Sequence, residues 1–485
     1  MILNLKTKIL SLCFGFIGFT HVAFAQSDLS FYHLGELTPQ NNIFNPVFFP
    51  DADFYVSLPL ISGVSTNLNN SFTYNDLFVA IDGTDSVQFD TEHLLSNIND
   101  GDRLSFDGSI SLLQVGFHVG KAGAVQLFAN ERVKSRLFYP KKLLQYLLEG
   151  NADFLGQNVS ENNLRGQGSY YREYGVGYSH ELSVLGEKKL RVGLKLKYLQ
   201  GFIQAEVDKE AAVSFLTDPD TYYVNISTNN SVLRTAGLDS FDNSDYLMSN
   251  GNNGFGFDFG ADMQITPKLN VAFSVNDIGS INWREGIKNY ELVESEATFG
   301  GMDLRDLDNA GDVLKDTLEQ LFDYREFEDE EFKSKLNTRV FISGSYKVIP
   351  KGTVTATVMS RNDLGDASFT YGLGYTHYVG KMLTVSGSIS KKPKQGVALG
   401  GAVGARFGII QLYTSLDNTI GINDIRNMNN LNVRFGVNLL FGRRSEKKEK
   451  DSQEKIKSEK SKPQKEKFGP FPDEYDLGHL NDSEN

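Results

Sequence analysis

The sequence predicts an all-β fold: an antiparallel transmembrane β-barrel of about fourteen strands, with an N-terminal plug segment, helical extracellular loops and a disordered C-terminal tail. Three observations carry this expectation. The chain opens with an export signal. Many segments then alternate apolar and polar residues over lengths well beyond the roughly five or six residues usual in soluble strands. The connections between these segments alternate between short and long, as they do in outer-membrane barrels.

In chain order, Lys6 and Lys8 supply a positive start, Ile9 to Phe19 an apolar run, and Ala23-Phe24-Ala25 a small-x-small cleavage site before Gln26. The run falls short of the roughly 18 to 20 residues that span a bilayer, so residues 1–25 are read as a cleaved signal peptide rather than an anchor. Cys13 is the only cysteine and leaves with the signal. The mature chain therefore has neither disulfides nor a lipid-bearing thiol, and closure by backbone pairing is expected instead. High glycine (46) and aromatic content (12%) with few prolines (12) suit long strands with aromatic girdles. A net charge of −13 makes nucleic acid a poor partner. No later stretch is long and apolar enough for a membrane helix, and the chain reads as a non-enzyme.

Residues 26–52 form the plug or entry segment, where Asn45-Pro46-Val47-Phe48-Phe49-Pro50 is an ordered turn because proline fixes φ and removes a donor. The barrel follows over 53–441. Its first strand is placed near 53–62, with Pro59 confining it to an edge or a bulge. The Asp/Asn-rich run 90–102 lacks the spacing of a calcium loop and reads as a solvated turn. Leu190, Val192, Leu194 and Leu196 alternate with Lys189, Arg191, Lys195 and Lys197; Phe255, Phe257 and Phe259 alternate with Asp258 and Asp262. Inward-running strands are expected near 104–118, 168–183, 254–265, 335–348, 366–379, 395–407 and 428–441. Outward-running strands are expected near 53–62, 123–136, 189–205, 269–282, 352–362, 382–390 and 408–417. A parity shift between Phe106 and Leu113 predicts a bulge. The short connections, such as Gly120–Gly123 and Pro350–Gly352, then fall on the periplasmic side, and the long ones near 137–167, 206–253 and 284–334 fall outside.

Within the long connections, Pro140 to Leu148 and Leu304 to Phe322 carry helical spacing. They are read as a lid over the barrel mouth or as a partner-binding or gating element. The last strand, Leu431 to Phe441, is apolar on one parity and polar on the other. Its Arg434, Gly436, Leu439 and Phe441 resemble the terminal signal read by the outer-membrane assembly machinery. Residues 442–485 are a charged tail placed in the periplasm: Arg443 to Lys467 is highly charged, and 468–480 brings back aromatics and proline. That last stretch is either a passive extension or a docking segment for a periplasmic protein.

Asn45-Pro46-Val47-Phe48 followed by Phe54-Tyr55-Val56-Ser57-Leu58-Pro59, with Tyr171 to Tyr178 and Leu194 to Gly201, resembles an uncharacterised family of bacterial outer-membrane barrels. That family is similar to the long-chain fatty-acid porin superfamily. The resemblance covers roughly 30–441. It implies fourteen strands and an N-terminal plug whose motif here is Asn45 and Pro46, with Val47 where alanine is usual. It implies no substrate.

With the apolar parity facing outer-membrane lipid, the candidate lumen charges are Arg132, Lys134, Arg136, Glu173, Glu181, Lys189, Arg191, Lys195, Lys197, Asp258 and Asp262. They form either an ion-pair network filling a narrow interior or a cationic lining for a carboxylate or phosphate head group. The histidines lack metal spacing, and Gly254-x-Gly256 lies within a strand, so no metal or cofactor is expected. Ser388-x-x-Lys391 matches a serine-acylation spacing without its partner motifs. Two functions remain: a transporter passing a hydrophobic or amphipathic small molecule across the outer membrane of a Gram-negative bacterium, or a non-transporting scaffold barrel of an envelope complex. The first expects an apolar pocket and a kink in the wall; the second expects a filled, ionic lumen.

Overall fold

A computed structural model describes residues 28–444 apart from short stretches in loops and turns, the longest of them 300–323. The signal peptide, the predicted helix 304–322 and the tail beyond 444, including 468–480, lie outside the described residues.

Fourteen antiparallel strands close into one barrel. We number them β1 (Phe54–Ser57 and Val64–Asn69), β2 (Arg103–Val119), β3 (Gly123–Phe138), β4 (Gly166–Val184), β5 (Lys188–Val207), β6 (Asn253–Gln264) and β7 (Leu269–Trp283). The second half comprises β8 (Arg339–Ile349), β9 (Gly352–Asp363), β10 (Asp366–Val379), β11 (Leu383–Lys391), β12 (Val397–Phe407), β13 (Ile410–Asp417) and β14 (Asn430–Phe441). Each strand pairs with its neighbours in sequence. The ring closes where Val56 pairs with Leu439 of β14 and Val115 of β2. Closure leaves no edge, which satisfies the backbone in a medium that cannot hydrogen-bond it.

Strand boundaries follow the alternation expected from sequence, and the predicted bulge in β2 falls between Ser111 and Leu113. The largest difference is β1, which is split. From Ser57 to Ser65 it advances eight residues while the facing β14 advances four, from Asn438 to Arg434. The surplus forms a turn over Leu58–Gly63, with Leu60 at φ 66°. Pro59 lies in this turn because it cannot donate to a ladder. The turn is tied on both sides: Leu60 N–H donates to the Ser111 carbonyl (2.9 Å) and Val437 N–H to that of Ile61 (3.2 Å).

Leu194, Leu196, Tyr198, Phe255, Tyr371 and Phe435 are exposed on the outer wall, while Lys195, Lys197, Asp258 and Asn438 between them are buried inside. An apolar belt around a polar interior is the distribution that lipid outside and a lumen inside require. The short turns use glycine where φ must be positive, as at Gly120 (62°), Gly380 (65°) and Gly408 (61°).

Among the described residues, the outer loops carry secondary structure. Residues 90–102, expected as a turn, instead include a short helix, α2 (Thr91–Asn97), capped when the Asp90 carboxylate accepts from His93 N–H (2.8 Å). The predicted helix after Pro140 is α3 (Lys141–Glu149). Its Tyr146 packs on Phe215, Val213, Val224 and Ile226 of a small four-stranded sheet built from loop segments 158–161, 212–217, 224–229 and 297–299. Inside the barrel, residues 28–52 form the plug: a one-turn helix α1 (Leu29–Tyr32), two short 3₁₀ turns and the proline-bounded segment to Pro50.

Candidate functional site

The lumen has two levels. Towards the end that carries the short turns it is occupied by the plug, which is bonded to nearly every strand. Ser30 Oγ lies 2.5 Å from Ser388 Oγ, Tyr32 Oη 2.7 Å from Ser343 Oγ, and Gln40 Nε2 donates to Asn438 Oδ1 (2.8 Å). Lys195 Nζ donates to the Asn42 carbonyl at 2.7 Å, and Asn276 Nδ2 to that of Phe44 at 2.8 Å. Phe31, Tyr32, Phe44 and Phe48 form an aromatic core with Phe341 and Tyr413 of the wall, in which Tyr32 stacks on Phe341 at 5.3 Å. Opposite several of these residues the wall has no side chain. Leu29 sits over Gly372, His33 over Gly374, Leu37 over Gly404, and Asn45-Pro46 over Gly193 and Gly260, each in space that a Cβ would need. The Asn45 carboxamide donates weakly to the Ala261 and Phe273 carbonyls and accepts from Val47 N–H (3.2 Å), which fixes the turn around Pro46.

Above the plug the lumen is ionic. Lys197 on β5 reaches both Asp258 and Asp277 at 2.7 Å, and Arg132 on β3 reaches Glu173 on β4 at 2.8 Å. Asp277 also accepts from Arg339 (3.0 Å) and lies 3.7 Å from Lys134. Its backbone turns to φ 60°, which lets its own N–H donate to Asp258 Oδ1 (2.7 Å). Farther out, Asp107 is shared by Arg136 (2.8 Å) and Arg361 (3.0 Å). A cavity remains between plug and outer loops. Its walls carry six cations, Arg132, Lys134, Arg136, Arg339, Arg361 and Arg434, but only two carboxylates, Asp28 and Asp107, with Ser65, Ser109 and Asn337 between them.

Arg434 joins the two levels. It donates to Asp28 at the start of the plug (2.8 Å), while its guanidinium lies 5.4 Å from the Phe31 ring centre and 5.3 Å from that of Phe44. Burial opposes ionisation of Asp28, but Arg434, Arg339 and Asn432 more than offset it and hold the carboxyl below its usual range.

Of the charges expected in the lumen, Arg132, Lys134, Arg136, Glu173, Lys195, Lys197 and Asp258 are gathered around or beneath the cavity. Arg191 and Asp262 sit lower, where Arg191 pairs with both Asp262 and the plug residue Glu36. Glu181 and Lys189 pair at 2.8 Å on the more exposed rim at the short-turn end, away from the cavity. Asp28, Asp107, Asp277, Arg339 and Arg361 were not legible as site residues. Ser388 serves the plug contact, and Lys391 points to the opposite, exposed face, so the two share no site. Of the four residues of the terminal signal, Arg434 and Gly436 face inward, with the Ser62 carbonyl in the space a Cβ on Gly436 would fill, while Leu439 and Phe441 lie on the outer parity.

A closed fourteen-stranded wall, apolar outside and ionic inside, with its own N-terminal segment packed in the lumen, defines a plugged barrel of the bacterial outer-membrane type. The chain belongs to the family of unknown function DUF5723, whose model matches residues 46–417. Among solved structures it is similar to the Ralstonia pickettii toluene transporter TbuX (9% identity, 84% of this chain and 94% of that one covered, TM-score 0.39). It is similar to the monoaromatic hydrocarbon channel CymD (10% identity, 87% and 98% covered, TM-score 0.39). A Pseudomonas aeruginosa FadL homologue compares likewise (10% identity, 86% and 97% covered, TM-score 0.36). No curated protein sequence matches the chain.

Proposed function

We propose that this barrel carries a small amphipathic molecule across the outer membrane, with the plug as its gate. The observation that carries this reading is the seating of the plug. The plug is held by its own side chains over bare glycines, by hydrogen bonds and by the ion pairs Asp28–Arg434 and Glu36–Arg191, and a polar cavity is left on its outer side. A segment needed only to fill the lumen would leave no cavity above it. A wall of the apolar kind expected for a hydrocarbon path does not line this cavity; charged side chains do, which favours a ligand with a polar head. The split in β1 supplies the kink expected of a wall through which a ligand leaves, and its hydrogen bonds hold it shut with the plug in place.

The mature chain has no cysteine, so a Ser30→Cys/Ser388→Cys pair offers a clean lock for the plug. In proteoliposomes, flux of decanoate and of glycerol phosphate is measured with the pair oxidised and then reduced. Passage of at least one solute that stops on oxidation and returns with reductant is the expected result. Equal flux in both states, or none in either, overturns the gate.

A further inference from the structure

We propose that the cavity above the plug is a binding site for a multiply charged oxyanion, a phosphate group above all, and that its occupant competes with Asp28 for Arg434. Three features point to this chemistry. The lining is cationic well beyond its carboxylates, and the acids behind it do not restore the balance. Asp277 serves Lys134, Lys197 and Arg339 at once, and Asp107 serves both Arg136 and Arg361. Cations that share acids in a low-dielectric lumen are favourable partners for an added anion. Second, Arg339 Nε is buried without a hydrogen-bond partner, a donor available to a ligand oxygen. Third, the space is small, with room for about two water molecules. A compact oxyanion fits; an acyl chain does not, and the body attached to the head group must lie towards the outer loops.

The link to the plug follows from Arg434. Its guanidinium is held by the Asp28 carboxylate and lies against the plug aromatics Phe31 and Phe44. An oxyanion entering the cavity offers Arg434 the same bidentate geometry as Asp28. Occupancy therefore weakens the tie that holds the first residue of the plug, and the ligand helps to open its own gate. As a statement of what is transported, this rests on the uptake reading above; as a binding site it stands without it.

The test is calorimetric titration of the full-length mature protein in phosphate-free detergent with inorganic phosphate, glycerol phosphate and decanoate in turn. Folding of each variant is verified by its heat-dependent gel mobility. Saturable binding of inorganic phosphate and glycerol phosphate, with decanoate at least tenfold weaker, is expected. Arg361→Gln and Lys134→Gln should each weaken it about tenfold, because each leaves its carboxylate another cation and the fold intact. Arg361→Lys should restore part of the loss, and Lys189→Gln at the rim should change nothing. Asp28→Asn should tighten binding several-fold by releasing Arg434. Binding of glycerol phosphate but not inorganic phosphate would place recognition in the attached body and overturn the site. So would decanoate binding as tightly as phosphate, no saturable phosphate binding, or unchanged affinity in Asp28→Asn. Phosphate binding without flux would sustain the site and remove uptake, whereas decanoate flux without phosphate binding would do the reverse.

Discussion

The two levels of the lumen fill the same barrel by opposite means. Below, the plug meets the wall mainly through shape: aromatic rings, hydrogen bonds and side chains set against glycines, with charge entering locally at Glu36–Arg191 and at Lys195. Above, the wall meets itself through charge, and the strands are tied by ions that share partners. Shape complementarity works only at contact, so the lower level is either seated or not. Charge acts over longer distances and accepts water or a solute without losing its framework. The difference assigns closing to one level and recognition to the other, and four substitutions test that division.

The largest effect is expected from Lys197→Met. This cation is shared by Asp258 and Asp277, and its loss leaves buried carboxylates uncompensated, at about 3–5 kcal/mol. Urea unfolding of the protein in detergent should register this as a loss of barrel stability. If the ionic level were mere filling, the cost would be far smaller. Next is Gly260→Val, which places a side chain where Asn45 and Pro46 sit; the overpacking costs about 1–3 kcal/mol. Limited proteolysis should then cut within 28–52 while the strand content seen by circular dichroism is unchanged. Coincident loss of both would mean that the plug and wall are one folding unit.

The third substitution lies where the levels meet. The lower half of β1 bonds the plug through Ser57, and the upper half faces the cavity through Ser65; between them Leu60 holds a left-handed backbone. Leu60→Gly should stabilise the barrel by about 1 kcal/mol in the same unfolding experiment. Destabilisation would show that the Leu60 side chain, not the backbone, holds the turn. The smallest effect is Lys189→Gln. Its pair with Glu181 is largely exposed and should change stability by about half a kcal/mol or less.

The wall was almost fully legible in the sequence, because period-2 alternation states both where a strand runs and which face it turns to lipid. The lumen charges on β3, β4, β5 and β6 were legible by the same rule. What the rule could not reach was pairing between distant segments. Asp28 is the third residue after the expected cleavage site, and nothing local ties it to Arg434. Asp277 leaves the alternation because its φ is positive. Arg339 opens its strand, where parity carries least information. The glycine seats were visible only as a high glycine count: Gly372 and Gly374 lie within an ordinary alternating strand, and their purpose appears once Leu29 and His33 are set over them. Split β1 was announced by Pro59, but its second half, Val64–Asn69, was not.

The path of the chain also sets an order of events. The plug immediately precedes β1, and β1 is the strand that meets β14 to close the ring. Residues 28–52 touch strands from both ends of the sequence, so their partners are complete only when β14 arrives. The last strand therefore both seals the wall and bonds the plug. Asn438 and Arg434, which bond Gln40 and Asp28, let β14 register against the plug as well as against β1. A chain lacking residues 28–52 should therefore close more slowly on a hollow interior, which the rate of appearance of the heat-modifiable folded band would show.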